Sequence, residues 1–198
     1  MRVAKLIYGV EGRVARPAGV RTNIVKTVIQ SLTMWFIFFL AAPTIVYRAE
    51  TLLGLGRYRL HSPMWKAVGI MFFAAGWVLA WASAIFMVVH GEGTPLPVDA
   101  PRKFVCVGPY RYVRNPMALG SIVQGIGVGL YRRSPLVVAY AVLGALSWNY
   151  IARPWEEHDL ERRFGAPYAR YRTSVRCWIP ALRPFETDVI DISTRGPR

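Results

Sequence analysis

Four stretches of the chain carry no Asp, Glu, Lys or Arg: residues 28–46, 68–89, 117–131 and 134–152, of 19, 22, 15 and 19 residues. A helix of about 20 apolar residues crosses the hydrocarbon of a bilayer. The first, second and fourth runs therefore predict full spans. The third, shorter and rich in glycine, predicts a span or a hairpin partner for the fourth. Its Gly125, Gly127 and Gly129 alternate inside an apolar run, which predicts close helix packing. The first run follows 27 residues and precedes more apolar segments, so it reads as a retained helix and not as a cleaved leader. Four such runs need more polar covering than the remaining residues supply, which sets aside a water-soluble domain. The expected fold class is an all-α integral membrane protein of about four transmembrane helices. Residues 28–198 would form one membrane domain behind a basic arm at 1–27.

The polar segments are organised too. Residues 91–104 hold two glycines and three prolines, too many for a regular element, and predict a long ordered loop. After the last span, Pro154 suits the first position of a new helix, and Gly165 followed by Pro167 suits its end. Further on, Tyr168, Tyr171, Val175 and Trp178 recur at helical spacing, with Arg170, Arg172 and Arg176 on other faces. C-terminal helices over 154–178 are therefore expected. The aromatic face would either lie on an anionic leaflet or pack against the rest of the chain.

Charge then orients the chain. Lys and Arg number 25 against 11 Asp and Glu. Basic residues number six before the first span, four in the central loop and nine after Ala152, nineteen on one side against six on the other. By the positive-inside rule both termini and the central loop face the cytoplasm, in the cytoplasmic membrane. That rule accounts for the basic excess without nucleic acid, for which no stacking platform or groove-reading helix is evident. His61, His90 and His158 are scattered and form no metal-ligand set, and His158 reads as an exposed helix residue. Cys106 and Cys177 read as free thiols.

Two charged clusters abut the apolar runs: Gly108-Pro109-Tyr110-Arg111-Tyr112-Val113-Arg114-Asn115-Pro116 and Arg153-Pro154-Trp155-Glu156-Glu157. Charge beside hydrocarbon is costly unless paired or bound. The first cluster supplies cations, an aromatic ring and an irregular backbone; the second supplies anions. Together they resemble a pocket for a zwitterionic ligand. The competing reading of Glu156 and Glu157 is a match to the dipole of a helix that starts at Pro154.

With Gly93-Thr94-Pro95, Glu156-Glu157-x-x-Leu160, Phe164-Gly165-x-x-Tyr168-x-x-Tyr171 and Ile179-Pro180 in order around these clusters, residues 91–184 resemble the bacterial branch of the isoprenylcysteine carboxyl methyltransferase and phospholipid N-methyltransferase superfamily. The resemblance implies an integral membrane enzyme that uses S-adenosylmethionine in a pocket at the cytoplasmic face. Val105, Gly108, Pro109, Tyr110, Asn115 and Pro116 would line it, and Glu156 and Glu157 would close it from the other side. Arg114 would take the cofactor carboxylate and Glu156 its ammonium, while Arg153 matches a position that contacts substrate in some relatives. The acceptor would be lipophilic or membrane-delivered, and a carboxylate, thiol or amine. Eukaryotic isoprenylcysteine members carry Arg-His-Pro where this chain has Arg114-Asn115-Pro116, and many relatives carry Tyr where it has Ala118. Both differences bear on the substrate more than on the cofactor. Two alternatives remain: a membrane reductase of related fold that uses NADPH, and a membrane protein without enzymatic activity.

Overall fold

The computed structural model describes residues 18–95 and 100–186, so most of the basic arm and loop residues 96–99 lie outside the described residues. Every regular element described is helical: α1 (Val20–Leu52), α2 (Met64–Gly91), α3 (Pro116–Tyr131), α4 (Pro135–Ser147) and α5 (Arg153–Ser174), with 3-10 turns at Leu55–Tyr58 and Gly108–Arg111. α4 runs through Trp148–Ala152 into α5, and the helix continues unbroken to Phe164, before the kink at Gly165. From Pro135 to Phe164 it is about 45 Å long at 1.5 Å per residue, longer than a bilayer core of about 30 Å. Only its apolar part, up to Ala152, is needed to cross. By length and composition three helices can span a membrane, those at Val20–Leu52, Met64–Gly91 and Pro135–Ser174, with Pro116–Tyr131 a shorter apolar fourth.

Burial is inverted relative to a water-soluble protein. Of the residues of α1, the fully buried ones are Asn23, Thr27, Pro43 and Glu50. Its large apolar side chains point out, with Ile29 60% and Ile45 68% exposed. In α2, Ser83, Ala84 and Val88 are buried while Met71, Trp77 and Val78 are exposed. Hydrocarbon solvates apolar side chains, so polar and small ones go inside.

The chain divides into two compact units, and each is described separately. One comprises residues 29–81 and 117–148. Here glycine lets α2 and α3 touch backbone to backbone: a Cβ on Gly127 would sit 2.8 Å from the Gly69 carbonyl, and one on Gly120 2.7 Å from that of Gly76. Gly125 and Gly129 face Ala141 and Val138 of α4, as the alternating pattern predicts. At the far end of α1 the buried Glu50 accepts from Arg59 Nε at 2.6 Å and from the hydroxyl of Ser134, which also caps α4. Removing one partner of such a buried pair typically costs about 3–5 kcal/mol.

Three expectations need correction. α1 begins at Val20, eight residues before the charge-free run. Arg21 and Lys26 lie within the helix, which a charge does not end. Pro154 does not open a new helix: Ala152 has helical angles of −74° and −45°, and the chain continues through a π turn at Trp148–Ala152. α1 does the same, with a π turn at Phe36–Ala41 just before Pro43. A proline ring clashes with the carbonyl four residues earlier, here that of Tyr150 or Phe39, and a wider turn swings that carbonyl aside. The third correction is at the C-terminus, where α5 stops at Ser174 and not near 178, with Val175 in extended backbone. The expected break at Gly165 is present as a kink within α5, at φ 56° and ψ −131°.

Candidate functional site

All the site residues expected from the sequence fall in the second unit, residues 18–28, 82–95, 100–116 and 149–186. Its core is Cys106, Tyr168, Tyr171 and Val175, with Phe104, Leu160, Phe164 and Phe185 packed against it. The face that carries Tyr168 and Tyr171 is thus used inside the protein and not on a leaflet. Phe104 meets Tyr171 edge-on at 5.2 Å, and Phe185 does so from another side at 5.4 Å.

This core holds the loop that carries the first cluster. Arg102 and Lys103 donate their amides to the Gly91 carbonyl at 2.7 and 3.0 Å, closing the loop on the end of α2. Arg163, paired with Asp159 at 3.2 Å, donates to the Pro101 carbonyl from α5. Val105 is buried. Gly108 has φ +58°, and a Cβ there would stand 2.6 Å from the Phe86 ring, so this position requires glycine on both counts. Pro109 then fixes the first step of the 3-10 turn Gly108–Arg111, in which Tyr110 is buried and its carbonyl accepts the Tyr171 hydroxyl at 2.7 Å. Residues 176–185 run alongside this loop: Arg114, Ala181 and Phe185 amides bond the carbonyls of Arg176, Tyr112 and Arg111, and Arg111 Nε bonds the Phe185 carbonyl at 2.8 Å. Pro116 is fully buried and opens α3.

Both charged clusters meet. Arg114 Nη1 lies 2.7 Å from Glu157 Oε1, each side chain about four-fifths buried, and Arg114 also bonds Tyr168. Asn115 Nδ2 donates to Glu156 Oε2 at 3.2 Å. Arg153 bonds Cys177, a buried free thiol like Cys106. The Nε–H of Arg114 and that of Arg153 are buried without a hydrogen-bond partner among the described residues. Because α4 and α5 are continuous, no helix start lies beneath Glu156 and Glu157, and the dipole explanation of the pair loses its basis. Burial chiefly, and then the neighbouring Glu157, push the Glu156 carboxyl up to about 7. Burial also raises the Tyr110, Tyr168 and Tyr171 hydroxyls and the Cys106 thiol.

The structure thus brings together Val105, Gly108, Pro109, Tyr110, Arg114, Asn115, Pro116, Arg153, Glu156 and Glu157 in one compact unit. Two carboxylates, two guanidinium groups with buried unused N–H donors, and an aromatic wall are a donor set that fits an amino-acid zwitterion. Sequence reasoning missed Tyr168 as the partner of Arg114, and Arg111 and Arg163 as clamps. Their only sequence signal was membership in a periodic face or a basic run.

Residues 64–167, just over half of the chain, match the family described as phospholipid methyltransferase. The protein-S-isoprenylcysteine O-methyltransferase A of Arabidopsis thaliana is 33% identical over 76 residues, 37% of each chain. A solved structure of the eukaryotic intramembrane Ras methyltransferase, an isoprenylcysteine carboxyl methyltransferase, superposes with a TM-score of 0.51 at 20% identity, covering 76% of this chain and 54% of that one. The chain therefore spans about a third of the curated relative and about half of the solved one, and at 20% identity the likeness to the latter is one of fold.

Proposed function

This chain belongs to the phospholipid methyltransferase family, and on that premise we propose that it transfers a methyl group from S-adenosylmethionine to a lipophilic or membrane-delivered acceptor at the cytoplasmic face of the membrane. One observation carries the reading. Arg114 and Asn115 from the loop meet Glu157 and Glu156 from α5 at 2.7 and 3.2 Å, beside buried guanidinium donors that no side chain uses.

S-adenosylmethionine, when bound, supplies an activated methyl on a sulfonium centre. In the proposal Glu156 holds the ammonium end of its amino-acid moiety and Arg114 the carboxylate, as a charge-assisted pair. Val105, Gly108, Pro109, Tyr110 and Pro116 form the wall, and Arg153 contacts the acceptor. The residues contribute alignment and exclusion of water more than proton transfer, since the leaving group needs no acid. Asn115 stands where eukaryotic isoprenylcysteine members carry histidine, which leaves no imidazole base at that position.

The direct test is incubation of detergent-purified protein with methyl-radiolabelled S-adenosylmethionine and a lipid extract. Label in the lipid fraction, dependent on Arg114, is the expected result. The reading fails if no label is transferred and thermal unfolding responds to NADPH but not to S-adenosylhomocysteine.

A further inference from the structure

α1 carries five threonines, of which Thr22 is exposed. Thr33, Thr44 and Thr51 each return the hydroxyl to the carbonyl four residues earlier, at 2.9, 2.5 and 3.1 Å. Thr27 does not. It is 4% exposed, and its Oγ1 is buried without a hydrogen-bond partner among the described residues. One turn earlier Asn23, 1% exposed, leaves its Oδ1 in the same condition. Residues four apart share a helix face, about 6 Å apart along the axis. Two buried oxygens thus stand side by side on a helix that turns its large apolar side chains outward. An unsatisfied buried oxygen costs about 1–3 kcal/mol, so each calls for a partner that the described residues do not supply.

We propose that Asn23 and Thr27 form a subsite for the hydrogen-bond-donating head of the methyl acceptor, a group bearing O–H or N–H next to the reacting atom. The inference rests on the methyltransferase reading and adds to it the chemistry of the acceptor's head. Both residues lie in the compact unit that holds the charged clusters. The proposed cofactor contacts come from the loop and α5, whereas Asn23 and Thr27 come from α1, a candidate membrane span. The Asn23 carbonyl oxygen selects for a donor, while the Thr27 hydroxyl pairs with a donor or an acceptor; a head with only acceptors leaves Asn23 Oδ1 unpaired.

The probes are monoolein and methyl oleate, which share a chain and a neutral ester and differ in the two hydroxyls of the glycerol head. Binding is read from the shift of the unfolding midpoint with ligand concentration, in a detergent without hydroxyl groups. Wild type should bind monoolein roughly five- to tenfold more tightly than methyl oleate, the value for one net hydrogen bond, that to Asn23 Oδ1. Asn23→Leu with Thr27→Val should bind the two equally, and its own midpoint should equal or exceed that of wild type because two unpaired buried oxygens are gone. Thr27→Val alone, isosteric and therefore tolerated, should weaken binding of both probes and keep the preference, because the Thr27 hydroxyl bonds either head. Equal binding by wild type, or a preference that survives in the double variant, overturns the subsite. S-adenosylhomocysteine is titrated in parallel. If wild type prefers monoolein but ignores S-adenosylhomocysteine, the methyltransferase reading falls and with it the acceptor role, while the two residues remain a lipid-head site.

Discussion

Glu156→Gln keeps the shape of the side chain and an oxygen for the Asn115 amide, and removes only the charge. Glu156 ionises at about 7 in place of 4.5, because burial and then Glu157 disfavour its anion, against a smaller opposing hydrogen bond from Asn115. At roughly 1.4 kcal/mol per pH unit that difference is worth about 3 kcal/mol. The folded chain keeps this proton to higher pH than the unfolded chain does. Stability from this group is therefore fully present below 4.5 and is lost as the pH rises through about 7. Glutamine never ionises, so the variant should be more stable than wild type at pH 8 by up to about 3 kcal/mol and should approach it near pH 4.5. The same change should weaken S-adenosylhomocysteine binding by about 2–5 kcal/mol, the cost of breaking one half of a buried charge pair. In wild type, affinity should fall as the pH drops below about 7, since the proton competes with the ligand ammonium for the same carboxylate. Thermal unfolding at pH 5 and pH 8, with calorimetric titration at each, reads all three effects. A variant less stable than wild type at pH 8, or one that binds with unchanged affinity, would refute the reasoning.

Tyr110→Ala should lose most S-adenosylhomocysteine affinity through the missing wall, whereas Arg170→Ala, at an exposed position, should bind as wild type does; calorimetry compares the two. Gly108→Ala should destabilise by roughly 1–3 kcal/mol, the cost of a side chain at positive φ with Phe86 in its way, read by thermal unfolding. Cysteines placed at Arg57 or Arg132 in a cysteine-free background should react with an impermeant thiol reagent from outside intact cells. Native Cys106 and Cys177 are buried, so their silence in that assay reports burial as well as side, and a cysteine at exposed Arg170 is the better inward control: labelling there from outside would invert the orientation.

The membrane architecture was legible because a charge-free run of about 20 residues has few other uses. Each such run is a helix, and the alternating glycines of the third sit against neighbouring helices. Helix ends were less legible. Arg21 lies within α1, and Pro154 lies within a continuous helix, because a π turn relieves the proline clash and no residue type announces a π turn. The two ambiguous readings were decided by packing. Tyr168 and Tyr171 found Phe104 from a loop more than sixty residues earlier in sequence, and Glu156 and Glu157 lost the helix start that would have explained them. That Arg114 faces Glu157 depends on the register between a loop and a helix 43 positions apart, which periodicity within either segment does not encode.

The central claim is that the contact of Arg114 and Asn115 with Glu157 and Glu156 forms the seat of S-adenosylmethionine. Calorimetric titration of S-adenosylhomocysteine into folded wild-type protein and Arg114→Ala tests it most directly. The account predicts saturable one-site binding by wild type and an affinity loss of about 2–5 kcal/mol in the variant. Equal affinity in the two, or no binding by folded wild type, would contradict it.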